Sequence, residues 1–223
     1  MNVEIVNRPS YSMAVISLLP SEKIRAEAGA MVSKSDGVDI ETKATGGILK
    51  SLSRSILGGE SFFQNVFQAP DRGGEITFAP DLPGDITVVE MHGENLMIQA
   101  GSYLASEIGI ELSTKISKKA FLAGEGISML EAKGEGKLLL SSYGAIFERY
   151  LENGERYIVD SSHLVLFDAT MDVQLKTVGG LKSTLFGGEG LVVQICGPGR
   201  LLIQTRSPSA LVRWLIPQLP KNE

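Results

Sequence analysis

The chain has 223 residues, and its 26 acidic and 21 basic side chains give a formal net charge of -5 at pH 7. This acidic balance argues against general binding of nucleic acids, because most of the surface repels polyanions. The single cysteine, Cys196, excludes an intrachain disulfide bond and predicts a reducing compartment.

The N-terminal segment shows no pattern typical of a signal peptide or a membrane span. The longest uncharged run of the chain, residues 9–21, is too short to cross a bilayer as a helix. Glu4 and a single base, Arg8, precede this run, and no small-x-small cleavage site follows it. We therefore predict a soluble, cytoplasmic protein.

Short strands are predicted along most of the chain, separated by glycine and proline turns. Their apolar residues alternate with polar ones or form short continuous runs. The clearest examples, in chain order, are residues 38–43, 75–80, 110–115, 137–142, 173–178 and 200–205. Turn signals at intervals of roughly 8–12 residues are typical of a β-sandwich or barrel. The sequence therefore predicts an all-β fold.

A seven-residue pattern occurs three times, as ILGGESF, FLAGEGI and LFGGEGL. Its glutamates are separated by 65 and 64 residues, and residues 17–32 align without a gap on residues 89–104. Such regular self-similarity predicts repeated structural units. We predict β-module 1 at residues 1–72, with a longer loop at 46–57, β-module 2 at 73–134 and β-module 3 at 135–206.

The glycine corners of the repeat are predicted to be structural. The corner residues are Gly59, Glu60, Gly124, Glu125, Gly188 and Glu189. Each carboxylate is expected to accept backbone N–H bonds or to pair with a nearby base, because an unpaired buried carboxylate is costly. The alternative, if a pseudo-threefold axis relates the modules, is that the three equivalent carboxylates form a ring or line an oligomer interface.

The longer loop of the first module combines aliphatic residues with two bases and no acid. Its candidate contact residues are Ile48, Leu49, Lys50, Leu52, Arg54 and Ile56. The P-loop spacing of glycines and lysine is absent, and the surrounding sequence is typical of strands, so a phosphate site is not predicted. Burial against a module edge or a subunit interface is favoured, because exposed aliphatic patches promote aggregation. Contact with an anionic membrane surface or a partner's groove is the alternative.

Candidate catalytic groups are few. His92 and His163 are the only histidines, and neither has a cysteine or a pair of carboxylates nearby in the sequence. Cys196 lies in an apolar strand, where a free cysteine behaves as a small hydrophobic residue. We predict no metal, no cofactor and no enzyme activity. The alternative is a metal-dependent β-helix enzyme with a histidine–carboxylate site shared between subunits.

A helix is predicted only at the C-terminus, within residues 207–223. Ser207 is a suitable cap, Pro208 suits the first helical position, and Pro217 ends the pattern. Trp214 is expected to close the end of the β-stack.

The Gly-Gly-Glu corners, the strands EAGAMV and QAGSYL, and the loop GGILKSL together resemble the altered-inheritance-of-mitochondria family, over about residues 1–216. The resemblance implies three tandem modules like the tryptophan RNA-binding attenuation protein (TRAP). Each would be a small β-sandwich related to double-stranded β-helices, in a pseudo-threefold repeat. RNA binding is not carried over, because the basic and aromatic set of the TRAP ring has no equivalent here.

The resemblance also implies chains that associate, with a trimer favoured, and it assigns no activity. The function expected from these observations is a non-enzymatic, oligomeric β-scaffold or binding protein. Its protein or small-molecule partner is not specified by the sequence, and no nucleic-acid partner is expected. Peripheral membrane association through residues 46–57 and a metal-dependent enzyme are the alternatives.

Overall fold

The computed structural model describes residues 1–43, 64–116, 128–177 and 191–220. Their strands, in chain order, are β1 (Asn2–Val6), β2 (Met13–Leu18), β3 (Lys23–Glu27), β4 (Met31–Lys34), β5 (Asp39–Lys43), β6 (Gln64–Gln68), β7 (Gly74–Phe78), β8 (Ile86–His92), β9 (Leu96–Gln99), β10 (Tyr103–Glu107), β11 (Ile110–Ile116), β12 (Ser128–Ser141), β13 (Ile146–Leu151), β14 (Arg156–Asp160), β15 (Leu164–Asp168), β16 (Asp172–Thr177), β17 (Leu191–Cys196) and β18 (Gly199–Gln204). Short 3-10 turns follow β9 and β14, at Ala100–Ser102 and Ser161–His163. The helix α1 (Pro208–Leu215) ends in a 3-10 turn at Ile216–Gln218. The predicted all-β fold with one short C-terminal helix is confirmed.

Side-chain alternation explains why these segments form strands. In β2, Ala14, Ile16 and Leu18 are buried while the residues between them face outward. This period of two places one face of the sheet against a core. β15 differs, because Leu164 to Phe167 are all buried. A strand with both faces covered has no need of alternation, which accounts for the continuous apolar run in its sequence.

Three sets of strands show the same pairing scheme among the described residues. The sets are β2 to β7, β8 to β12, and β13 to β18, with the long β12 serving as both fifth and last strand of its set. In each set the first and third strands pair with the last, antiparallel in every case. The second and fourth strands pair with the fifth. The first and third sets therefore each contribute strands to two sheets, whereas the strands of the second set all meet at β12.

Neighbouring sets share their sheets. β10 of the second set pairs with β3 of the first, and β15 of the third set pairs with β9 of the second. Because β12 extends through both shared sheets, they form one continuous sheet of 11 strands. A four-stranded sheet, β1-β2-β7-β4, and a three-stranded sheet, β14-β17-β16, remain at the two ends of the array.

The buried apolar side chains form three clusters that follow this sharing. The first cluster is built by the first set and completed by Ile86, Leu104, Ala105 and Leu139 of the second set. The second cluster is completed in the same way by Val165, Leu166 and Leu202 of the third set. In the third cluster, the buried members all lie within residues 151–201.

The strand pairing places the set boundaries differently from the predicted module boundaries. A boundary between residues 72 and 73 separates β7 from β2 and β4, with which it pairs. A boundary between residues 134 and 135 falls inside β12. The spacing of glycine corners gives the length of a repeat but not the strand at which a copy begins. The pseudo-threefold axis and the TRAP-like character stay predictions.

Candidate functional site

Most of the predicted site residues lie outside the described residues. The repeat corners Gly59, Glu60, Gly124, Glu125, Gly188 and Glu189 all fall in this category. The loop residues Ile48, Leu49, Lys50, Leu52, Arg54 and Ile56 do so as well. Their predicted roles therefore stay predictions.

The two histidines and the cysteine occupy separate places. His92 is exposed at the end of β8, and His163 lies in the 3-10 turn before β15 with its Nδ1 atom 2.7 Å from the carbonyl oxygen of Gln204. Cys196 is half-buried at the end of β17. Within residues 1–43, 64–116, 128–177 and 191–220, no three histidine, cysteine or acidic side chains lie close enough together to hold a metal ion.

A buried carboxylate that no sequence motif indicates lies at the start of the second set. Asp85 accepts hydrogen bonds from Nε and Nη2 of Arg8, both at 2.8 Å, and from Oγ of Ser12 at 3.0 Å. The backbone N–H of Ile86 donates a further bond at 2.8 Å. Burial raises the pKa of Asp85, but the hydrogen bonds from Arg8, Ile86 and Ser12 outweigh it and hold the pKa below its usual value.

The arrangement around Asp85 is that of an anchor. Four donors occupy its two oxygens, so the carboxylate is engaged in holding the N-terminal segment against the turn before β8. Arg8 makes a bidentate ion pair with it, a geometry that fixes the position of both groups.

A second polar contact crosses the junction between the first two sets. The hydroxyl of Tyr103, on β10, donates to the carbonyl oxygen of Arg25, on β3, at 3.3 Å and lies 3.1 Å from Oγ of Ser106. Nη1 of Arg25 donates to the carbonyl oxygen of Ile110 at 3.0 Å. Burial raises the pKa of Tyr103 well above its usual value, so the phenol stays protonated and remains a donor. These hydrogen bonds connect β3 with β10 and with the first residue of β11 across the junction.

Several described strands pair on one side only, and two of them correspond to strands that join neighbouring sets. We call them the β4 edge, Met31–Lys34, and the β14 edge, Arg156–Asp160. Among the strands that the structure describes, β4 pairs only with β7, and β14 pairs only with β17. Met31 and Val32 are exposed on the first edge and Ile158 on the second. An open edge with exposed apolar side chains is a surface on which another strand can add.

The C-terminal helix forms as predicted but packs differently. Oγ of Ser207 accepts the N–H of Ala210 at 3.2 Å, and Pro208 occupies the first helical position. No residue of α1 is buried, and Trp214 is 65% exposed. The prediction that Trp214 closes the β-stack was therefore wrong. The apolar residues of α1 predict a contact surface, but in this structure the described β-strands of the same chain do not cover it.

Comparison with known proteins gives the family. The family model described as Mitochondrial biogenesis AIM24 matches residues 3–206. The chain belongs to the AIM24 family. The match covers all three strand sets and ends before α1, so the AIM24 region is the β-array and the helix follows it.

Other AIM24 relatives come from bacteria and fungi. An uncharacterized protein of Streptococcus pyogenes serotype M6 is 26% identical over 100% of this chain and 92% of its own. Altered inheritance of mitochondria protein 24 of Verticillium alfalfae is 28% identical, and that of Aspergillus flavus is 24% identical. These alignments cover 77% and 75% of this chain but only 45% and 41% of the fungal proteins. The aligned part of this chain therefore corresponds to less than half of each fungal relative.

A solved structure shares the AIM24 fold. The crystal structure of a Streptococcus pyogenes protein matches with a TM-score of 0.84 and 24% sequence identity, over 98% of this chain and 99% of that one. In the described part of the AIM24 chain, no helix has the length and apolar content needed to cross a membrane. The names of the fungal relatives place those proteins in mitochondria, and the cytoplasmic location of this chain stays a prediction.

Proposed function

We propose that this AIM24 protein is a non-enzymatic, oligomeric β-scaffold or binding protein. The observation that carries the proposal is that β4 and β14 each keep an open edge, whereas their equivalents in the other sets pair across the two internal junctions. Natural proteins cover or pair such edges, because exposed backbone N–H and C=O groups recruit other strands. Association of copies is the direct way to satisfy both edges.

The buried polar groups support a structural role. The carboxylate of Asp85 accepts hydrogen bonds from four donors, and the hydroxyl of Tyr103 donates a hydrogen bond across the junction between the first two sets. A general acid or base needs a proton position that substrate can reach. Both groups act instead as fixed contacts that join segments distant in sequence.

Analytical ultracentrifugation of the full chain tests the oligomeric scaffold. We expect a single species whose mass is a multiple of the 23.9 kDa chain, with three times 23.9 kDa favoured. The species should persist on dilution into the low micromolar range, because paired edges bury both backbone groups and apolar side chains. A mass of one chain at every concentration would contradict the proposal.

A second candidate function is association with an anionic membrane surface, which the helix α1 favours. Val212, Trp214, Leu215, Ile216 and Leu219 are all exposed on this short segment. The only charged residues between positions 206 and 220 are Arg206 and Arg213, both basic. A basic amphipathic helix with a tryptophan is suited to lie in the headgroup region of a bilayer. In this candidate the helix takes the role that the sequence assigned to residues 46–57.

Flotation with phosphatidylcholine vesicles that contain phosphatidylglycerol tests this candidate. We expect the wild-type chain to float, and Arg213→Glu combined with Trp214→Ala to lower the bound fraction about tenfold. Phe147→Ser, which removes an exposed apolar side chain from β13, is the matched control and should leave flotation unchanged. Lys50→Glu combined with Arg54→Glu tests the loop separately.

The outcomes separate the helix from the loop. Flotation that only the loop variant abolishes would contradict the role of α1 and return the contact to residues 46–57. A wild-type chain that does not float would contradict membrane association as a whole.

A further inference from the structure

We propose that copies of this protein associate head to tail, by antiparallel pairing of the β4 edge of one copy with the β14 edge of the next. The inference rests on the proposed oligomeric function and names its interface. A second copy of this chain is the partner, and the two edges are the complementary surfaces.

The first argument is the rule that joins neighbouring sets within the chain. The third strand of a set pairs with the second strand of the preceding set, as β10 does with β3 and β15 does with β9. β4 is the third strand of the first set, and β14 is the second strand of the last set. Within one copy these two do not pair with each other. β4 and β14 can therefore pair in the same way only when they belong to two different copies.

The second argument is a shared β-bulge that identifies equivalent positions. The register between third and last strands shifts between Met31 and Ser33, between Tyr103 and Ala105, and between Leu164 and Leu166. The inserted residue is Val32 in the first set. Its equivalents are Leu104 and Val165.

Burial distinguishes these equivalent residues sharply. Leu104 and Val165 are each 0% exposed, whereas Val32 is 54% exposed. The two buried residues complete the apolar core of the preceding set, Leu104 in the first cluster and Val165 in the second. The third cluster has no such contribution from a following set. If copies pair as neighbouring sets do, Val32 of a second copy is the residue that completes the third cluster.

The internal junctions also give the register of the proposed pairing. Ser106 lies opposite Arg25 at the first junction, and Phe167 lies opposite Met97 at the second. The equivalent residue on β4 is Lys34, which pairs with Ile76 on β7 as Ser106 pairs with Leu138 on β12.

The 3-10 turns locate the other half of this pair. Met97 lies three residues before the turn that starts at Ala100, and Ile158 lies three residues before the turn that starts at Ser161. Lys34 of one copy therefore faces Ile158 of the next. Ile158 is 59% exposed in the isolated chain, as an uncovered junction residue would be.

The resulting assembly extends the architecture of a single chain. Pairing joins the four-stranded sheet of one copy to the three-stranded sheet of the next, as the 11-stranded sheet joins strands of neighbouring sets. A head-to-tail contact of this kind closes into a ring when the rotation between copies permits it, and otherwise extends as a filament. The favoured trimer is the closed form.

Cysteine cross-linking tests both the edges and the register. In a Cys196→Ala background, one chain carries Lys34→Cys and a second chain carries Ile158→Cys, and the two are mixed under mild oxidation. Directly opposite residues of an antiparallel pair have Cα atoms about 4.5–5.5 Å apart, within the range of a disulfide bond. We expect a covalent two-chain product only in the mixture. Lys34→Cys mixed with Phe147→Cys is the matched control and should give none.

A charge series provides a measurement that does not depend on disulfide chemistry. Ile158→Lys places a like charge opposite Lys34 and should dissociate the oligomer at least about tenfold more readily than wild type, whereas Ile158→Glu should keep it assembled. Phe147→Lys, on the exposed strand β13, should have no effect. Because Ile158 and Phe147 are both exposed, each variant should retain the circular dichroism spectrum of the wild-type chain.

The results separate this inference from the oligomeric proposal. An oligomer that gives no mixed cross-link and responds equally to Ile158→Lys and Ile158→Glu would overturn the edge pairing while leaving the scaffold intact. A chain that stays monomeric by ultracentrifugation would overturn both.

Discussion

Replacing Gly84 with alanine is expected to lower the free energy of unfolding by about 3 kcal/mol. Gly84 forms an isolated parallel bridge with Gly144, where the second and third strand sets begin. A Cβ atom at position 84 would overlap the carbonyl oxygen of Ser142 and lie 3.1 Å from that of Gly144. Both obstacles are backbone atoms, so neither can move without displacing a strand. Urea unfolding followed by circular dichroism measures the loss.

Gly101→Ala is the matched control for this substitution. The atom nearest to a Cβ there is Oε1 of Gln99, at 3.2 Å, at the end of a flexible side chain. We expect a change within about 0.5 kcal/mol. Equal losses at Gly84 and Gly101 would contradict the close backbone approach, because a general effect of adding a methyl group would then account for both.

The turn at Gly84 illustrates which part of the fold the sequence predicts. The Pro83-Gly84 dipeptide indicates a turn, because turn conformation depends on the backbone preferences of adjacent residues. The approach of Ser142, far along the chain, leaves no such local trace. For the same reason alternation predicts strands such as β2, and Ser207 with Pro208 predicts α1, whereas the pairing of β10 with β3 emerges only from the structure.

The residues of the candidate site also depend on contacts between distant parts of the chain, which the sequence does not predict. Val32 and Leu104 occupy matching positions in the aligned segments EAGAMV and QAGSYL, so the sequence treats them as equivalent. One is exposed and the other buried because only Leu104 has a preceding strand set to pack against. Asp85 has no motif at all, since its partners Arg8 and Ser12 lie more than 70 residues away in the chain. The hydrogen bonds of Asp85 therefore form only when tertiary packing brings these segments together.

Asp85→Asn is expected to lower the free energy of unfolding at neutral pH by about 3 kcal/mol. The substitution removes the charge that the guanidinium of Arg8 pairs with, and it replaces one acceptor oxygen by an amide donor that faces the same donors. Asp81→Asn is the control, because Asp81 is an exposed carboxylate shortly before the same turn. Chemical unfolding at pH 7 should separate the two variants clearly.

The difference between wild type and Asp85→Asn should also depend on pH in a defined direction. The folded pKa of Asp85 lies below the unfolded value, so its contribution is fully present above the unfolded pKa of about 3.9 and is lost as the pH falls through the folded pKa. The two unfolding free energies should therefore differ by a constant amount between pH 7 and about pH 5, and converge below about pH 4. A wild-type advantage that persisted unchanged at the lowest pH would mean that the carboxylate acts through its shape and not through its charge, because protonation would then have removed nothing.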